Sequence, residues 1–145
     1  MIRRTLFAAA LALALAPLQA SEQATDAQIK TRSEALEVAG AFSNDDFILR
    51  DGHHWGTLAP GKAAVIQVNL FAGNHYWFVA AASEEAKQIS VALYGEDGKP
   101  VAYEPYTDGA KAAAGFSPSV SGPYYVRITG AEEAPATFCL LYSYQ

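Results

Sequence analysis

The chain has 145 residues, of which 51% are hydrophobic and 17% are charged, so it is long enough for one globular domain and is neither disordered nor fibrous in composition. The formal net charge of −5 argues against binding to nucleic acid or to an anionic membrane through bulk charge. Cys139 is the only cysteine in the sequence, so the chain cannot form an internal disulfide.

Residues 1–20 have the parts of a cleaved export signal. A positive start at Arg3 and Arg4 is followed by an Ala/Leu/Phe run over residues 5–15 and by the small residue Ala20. The run is too short to persist as a membrane anchor, and no cysteine follows it that could carry a lipid. We therefore expect a periplasmic or secreted protein whose mature chain starts at Ser21. Loss of the two arginines leaves eight basic against fifteen acidic residues, a net charge of −7.

Residues 21–40 form a helical or flexible lead-in to the domain. Thr25 and Gln28 have the spacing of a capping box, and Gly40 suits the position that follows a helix. The apolar residues make only a thin stripe: Ile29, Leu36, Val38 and Ala39. The pattern favours a short helix that packs on the edge of the domain, with a partly disordered segment as the alternative.

Residues 41–145 are expected to form the domain itself, as about eight short strands separated by Gly, Pro, Asp and Asn turns. Strict alternation over residues 64–70 predicts a half-buried strand, and the apolar run 75–82 predicts a strand covered on both faces. Residues 55–58 lead into a Pro60-Gly61 turn. The other predicted strands are 47–49, 88–94, 99–103, 110–116, 124–129 and 136–144. This spacing is typical of an antiparallel β-sandwich or jelly roll, and an up-and-down barrel is the alternative.

Arg127 and Cys139 both lie in predicted strands, and we expect a different role for each. Alternation in residues 124–129 places Arg127 on the side opposite Val126 and Ile128, where a cross-strand salt bridge is its simplest role. Cys139 lies in an apolar run, which predicts a buried thiol, and a disulfide between two copies of the chain is the alternative.

Several short motifs occur in the order and spacing of a known family. They are Leu58-x-Pro60-Gly61, then Leu70-Phe71-Ala72-Gly73-x-x-Tyr76-x-Phe78, then Ile89-x-Val91-x-Leu93-Tyr94-x-x-x-Gly98, then Phe116-x-Pro118-x-x-x-Gly122-x-Tyr124-Tyr125-Val126-Arg127-Ile128, and finally Leu140-x-Tyr142. Over roughly residues 47–144 the chain resembles the bacterial pre-peptidase C-terminal (PPC) domain family and its collagen-binding-domain-like relatives.

The resemblance implies a non-catalytic, jelly-roll-like β-sandwich of a kind usually appended to secreted hydrolases, here in a free-standing version. Two family features are missing. The acidic pair of one strand is replaced by Gln88-Ile89-Ser90-Val91, and the calcium-binding acidic linker of some relatives has no counterpart. Collagen binding and a calcium site are therefore not part of the expectation.

Aromatic residues outside the expected core are the candidate ligand-binding residues. Tyr125, Trp77 and a loop pair of Tyr103 and Tyr106 could stack on a sugar or contact a protein partner. Packing in the core or at a sheet edge is the competing interpretation for each of them. We expect the protein to be a monomer with a protein or polysaccharide partner.

Asp51, His53 and His54 are the densest set of potential metal ligands. Adjacent residues of a strand point to opposite faces, so the two histidines are poorly placed to share one ion, and no cofactor is expected. The sequence therefore predicts an exported, non-catalytic β-sandwich protein that binds an envelope protein or an extracellular polymer. The alternative function is a small secreted metal-dependent hydrolase that uses Asp51, His53 and His54.

Overall fold

The computed structural model describes residues 23–42, 46–50 and 52–145. The predicted signal segment and Asp51 lie outside these ranges. Within them the chain forms α1 (Asp26–Phe42), β1 (Ile48–Leu49), β2 (His54–Leu58), β3 (Ala64–Leu70), β4 (Tyr76–Ala82), β5 (Ser90–Tyr94), β6 (Glu104–Asp108), β7 (Lys111–Phe116), β8 (Gly122–Thr129) and β9 (Ala136–Tyr144). The predicted all-β, antiparallel sandwich with a short N-terminal helix is confirmed.

The strands form one sheet of six and one of three. The larger sheet has the order β1-β9-β4-β7-β6, and the smaller has the order β3-β8-β5. β2 and β1 share one side of the long strand β9: Ile48 pairs with Tyr144 near its end, and Leu58 pairs with Ala136 at its start. The two sheets pack face to face, and the cluster between them contains Phe78, Leu140 and Val126.

β4 is buried on both faces, as its apolar sequence predicts. All seven of its residues are buried. Tyr76, Phe78, Ala80 and Ala82 point into the core between the sheets. Trp77, Val79 and Ala81 point the other way, into a second cluster beneath α1. A strand without a charged side chain is stable here because each of its faces has a cover.

α1 starts with the predicted capping box. Thr25 N donates to Gln28 Oε1 at 2.9 Å, and Gln28 N donates to Thr25 Oγ1 at 3.2 Å. The helix does not pack on the edge of the domain, as the sequence had suggested. It lies across the outer face of the six-stranded sheet, against which Ala35, Val38 and Ala39 are buried.

The end of α1 also differs from the prediction. Gly40 lies inside the helix, which continues to Phe42. The Phe42 ring centroid is 4.5 Å from that of Trp77 and 4.8 Å from that of Tyr106, so the last turn is held by aromatic packing on the sheet. This contact outweighs the tendency of a glycine to end a helix.

The predicted strands over residues 64–70 and 136–144 are confirmed to the residue. Two of the strand predictions are wrong. Residues 54–58 form a strand, β2, rather than a simple lead-in to a turn, and this makes nine strands in the described residues. Residues 99–103 are not a strand. The strand is β6, which begins at Glu104 and contains Pro105. Proline is tolerated there because β6 is the last strand of its sheet and needs no hydrogen bond on its outer side.

Gly130 and Gly40 provide a matched test of the packing. Gly130 has φ +142, and a Cβ atom on it would lie 2.7 Å from the Cα atom of Ile89, whereas a Cβ atom on Gly40 would have nothing within 4 Å. We expect Gly130→Ala to lower the free energy of unfolding by about 3 kcal/mol, because backbone cannot move aside. Gly40→Ala should raise it by about 0.5–1 kcal/mol through helix propensity. Urea denaturation followed by circular dichroism measures both, and equal stabilities of the two variants would contradict this packing.

Candidate functional site

The two sheets differ in what covers their outer faces. α1 packs on the outer face of the six-stranded sheet, through β4, β7 and β9. No described element packs on the outer face of the three-stranded sheet, which we call the open face. Its outward-pointing strand residues are Val65, Gln67, Asn69, Ser90, Ala92, Tyr94, Pro123, Tyr125, Arg127 and Thr129.

Strand register places three of these residues in one row across the open face. Gln67 of β3 pairs with Tyr125 of β8, and Tyr125 pairs with Tyr94 of β5. Both tyrosines are partly exposed. Side chains of directly opposite residues lie about 4.5–5.5 Å apart at Cβ, so the two rings and the Gln67 amide form one continuous surface.

Arg127 lies beside this row and does not make the predicted salt bridge with any residue that the structure describes. Its Nη1 atom donates to the Tyr94 hydroxyl at 3.4 Å. The prediction is wrong because the residues opposite Arg127 are Val65 and Ala92, which carry no charge. The guanidinium therefore completes a polar rim for the two tyrosines. It can donate hydrogen bonds to a neutral oxygen, and the rings can stack on an apolar surface.

Of the four aromatic residues predicted to bind a ligand, Tyr125 is thus the one on the open face. Tyr94 lies next to it there. The sequence reasoning missed Tyr94. Alternation in β5 already places it outward, because Val91 and Leu93 are inward. The position of Tyr94 opposite Tyr125 depends on the pairing of β5 with β8, which is not readable from either strand alone.

Trp77 is not on an outward surface, and its expected exposure is wrong. Its side chain is only 8% exposed, since alternation along β4 directs it to the face that α1 covers. Its ring also lies against Gly115, where a Cβ atom would be 2.8 Å from Trp77 Cη2.

Tyr103 and Tyr106 do not form the expected loop pair. Tyr103 packs against the core between the sheets, whereas Tyr106 belongs to β6 and packs against Phe42 under the helix. The two rings are on opposite faces of the six-stranded sheet.

The two neighbouring histidines have different surroundings. The His53 ring centroid is 4.1 Å from that of Trp55, and partial burial lowers the pKa of His53 below its usual range. His54 is exposed in β2, where it pairs with Leu140. Asp51 lies outside the described residues, and among those described no group of three His, Cys, Asp or Glu side chains is placed to hold a metal ion.

His75 makes a contact that the sequence did not indicate. Its Nδ1 atom is 2.6 Å from Ser117 Oγ, and nearby Ala72 N donates to Ser121 Oγ at 2.8 Å. These two bonds tie the β3–β4 turn to the β7–β8 loop. They support the loops at one end of the sandwich, near the start of β8.

Cys139 is buried, as predicted. Its side chain is 0% exposed, and it packs in the cluster between α1 and the six-stranded sheet. Burial raises the pKa of the Cys139 thiol from 9.0 to about 11. A disulfide between two copies would require this cluster to open, so the folded chain offers no thiol for that bond.

Comparison with known proteins adds no relative to this description: no family model matches the chain, and no curated protein matches it. Within the described residues, no helix combines the length and the apolar character needed to cross a membrane.

The raised pKa of Cys139 predicts a loss of stability in alkali. The folded state holds the thiol proton more tightly than the unfolded state, so the contribution is complete below the unfolded pKa near 9.0 and is lost as pH rises toward about 11. We expect the free energy of unfolding to fall by up to about 2 kcal/mol over this range from this group. Urea titrations between about pH 8 and about pH 10.5 measure it. Burial also raises the pKa of Tyr142, so Cys139→Ala should show a shallower decline rather than none, and an unchanged slope would contradict the assignment.

Proposed function

We propose that the protein is an exported, non-catalytic β-sandwich module that binds an extracellular polysaccharide through its open face. The observation that carries the proposal is the row of Gln67, Tyr125 and Tyr94 on the uncovered sheet, with Arg127 beside it. Aromatic rings next to amide and guanidinium donors are the groups that recognise a sugar, which has an apolar ring face and a rim of hydroxyls.

The shape of the open face favours an extended polymer over a small ligand. The row runs across strands of a sheet and is formed by side chains that stand on its surface rather than inside a cavity. Tyr94 is restrained by its bond to Arg127, and Tyr125 lies between neighbours on both sides. Rings that are already restrained lose little rotamer freedom when a ligand binds.

Charge favours a neutral polymer. The mature chain expected after signal cleavage has a net charge of −7, which repels an acidic polysaccharide. Arg127 is the one charged residue among the outward-pointing strand residues of the open face, and the Tyr94 hydroxyl already accepts one of its hydrogen bonds. The polymer class that fits these groups best is a neutral glucan or an N-acetylated glycan.

Two features of the sequence support export and a binding role. Residues 1–20 have the composition of a secretory signal, which would deliver the domain to the compartment where such polymers occur. The ordered motifs that resemble the PPC family suggest a non-catalytic module, and the confirmed sandwich is compatible with that resemblance.

Binding to a panel of purified polysaccharides tests the proposal. Mature protein should be retained by at least one neutral polymer in a pull-down with insoluble glucan and chitin or in affinity electrophoresis. Tyr125→Ala and Tyr94→Ala should each weaken that binding about 10-fold, since each removes one stacking ring. Phe71→Ala is the matched control, because Phe71 is 59% exposed but lies in the turn after β3.

The outcome that overturns the proposal is the absence of binding to every neutral polymer in the panel. Equal losses of polysaccharide binding in Phe71→Ala and Tyr125→Ala would also overturn it, because binding would then not depend specifically on the open face. Capture of an envelope protein whose binding depends on Tyr125, with no polysaccharide bound, would replace the polymer with a protein partner.

A further inference from the structure

The edges of the two sheets are protected to different degrees. An edge strand exposes unpaired N–H and C=O groups, and proteins usually blunt it with charge, proline, short length or a covering segment. β6, at one edge of the larger sheet, carries Glu104, Pro105 and Asp108 in five residues. At the other edge, two short strands share one side of β9: β1 has two residues, and β2 has five, with Gly56 at its centre.

In the smaller sheet, the edge at β5 is covered by the chain itself. Val101 N donates to Leu93 O at 3.1 Å, and Ile89 N donates to Gly109 O at 2.9 Å. A bridge between Tyr94 and Pro100 continues this cover. Backbone from the residues that follow β5 therefore bonds to the last residues of its outer side and to Ile89 just before it.

β3 has none of these protections. It is seven residues long, contains no charged residue, proline or glycine, and pairs only with β8 among the described strands. Val65 on β3 and Phe71 just beyond it are each 59% exposed. A long, uncharged, alternating edge strand is the usual template for adding another strand.

We propose that β3 pairs with β3 of a second copy of this chain, antiparallel and about a two-fold axis at Gln67. Gln67 is the central residue of Ala64–Leu70, with three residues on each side. In this register Gln67 faces Gln67 of the second copy, Ile66 faces Val68, and Val65 faces Asn69. An axis perpendicular to the sheet keeps every inward residue inward, so both cores remain intact.

The sequence of β3 favours a copy of itself as the occupant. Each apolar inward residue meets another apolar residue, and the outward amides of Gln67 can hydrogen-bond to each other across the axis. No charged side chain lies in the seven residues, so the net charge of the chain creates no like-charge contact at the edge itself. This inference departs from the monomer expected from the sequence.

The pairing would join two open faces into one. The strand order across the dimer would be β5-β8-β3, then β3-β8-β5 of the second copy, and the rows would align as Tyr94, Tyr125, Gln67 and then Gln67, Tyr125, Tyr94. With strands about 4.8 Å apart, the two Tyr125 residues would be about 14 Å apart and the two Tyr94 residues about 24 Å apart. The role of the joined rows in binding rests on the proposed function. It assigns the site to a polymer long enough to contact both copies.

Cysteine cross-linking tests the pairing and its register. Cys139 is 0% exposed, so an introduced thiol reports on its own position. Gln67→Cys should form a disulfide-linked dimer under mild oxidation. Val65→Cys alone and Asn69→Cys alone should stay monomeric, because each thiol would be about 13 Å from its own copy along the strand. A mixture of Val65→Cys and Asn69→Cys should give the linked dimer.

Light scattering and analytical ultracentrifugation of the unmodified mature protein should show a concentration-dependent dimer, with a dissociation constant in the micromolar range for so small an interface. Gln67→Lys, which places two ammonium groups at the axis, should be folded and monomeric. A monomer up to about 1 mM would overturn the proposal. Self-linking of Val65→Cys in preference to Gln67→Cys would overturn the register.

The two proposals can fail separately. A dimer that binds no polysaccharide would support the β3 pairing and overturn the proposal that the protein binds a polysaccharide. Polymer binding by a protein that stays monomeric would keep the proposed function and overturn the pairing.

Discussion

The six-stranded sheet has to be covered on both faces, and the rest of the fold follows from that requirement. β4 and β9 send alternate residues into two separate apolar clusters, one between the sheets and one beneath α1. Burying a large apolar side chain contributes roughly 1.5–3 kcal/mol, so an uncovered outer face would forfeit several such contributions at Trp77, Val79 and Leu141. The helix is equally dependent on the sheet, because most of a helix's stability in a protein comes from packing of its apolar face, here Ala35, Val38 and Ala39.

Small residues make this double cover possible. Ala35 and Ala39 of the helix meet Ala81 and Ala113 of the sheet, so the helix axis can approach the strands closely. The alanine run of β7, which carries little pattern in the sequence, serves both layers: Ala113 faces the helix, and Ala112 and Ala114 face the core between the sheets. Trp77 extends over Gly115 and occupies the space that a side chain there would need. The bulky residues of the second cluster are thus placed around a close contact of alanines.

The sequence predicted those elements whose signal is local. Alternation in β3, the apolar run of β4 and the Thr25–Gln28 capping box each depend on a few adjacent residues, and each is confirmed. The errors all depend on distant partners. The position of α1 on a sheet face, the burial of Trp77 and the neutral neighbours of Arg127 are set by which strands pair and in which register.

The candidate site followed the same rule. The direction of Tyr125 could be predicted from alternation in β8, because a residue between two inward neighbours points outward. Its partners Tyr94 and Gln67 could not, because they belong to strands 31 and 58 positions earlier in the chain. Pro105 shows the converse. It argues against a strand when read alone, and it is compatible with one only after β6 is known to be an edge.

Because α1 covers only the larger sheet, the open face and the unprotected edge belong to the same three strands. Gln67 has a place in both: it lies in the row with Tyr125 and at the centre of the exposed side of β3. A ligand that spans two joined rows would contact both copies, so its binding would strengthen the pairing and the pairing would strengthen its binding by the same factor. Affinity should then rise with polymer length until the polymer fills both rows. In a monomer, affinity would stop rising once the polymer fills its single row. A binding surface that lies next to a strand edge can in this way be extended by self-association, without any additional residue in the chain.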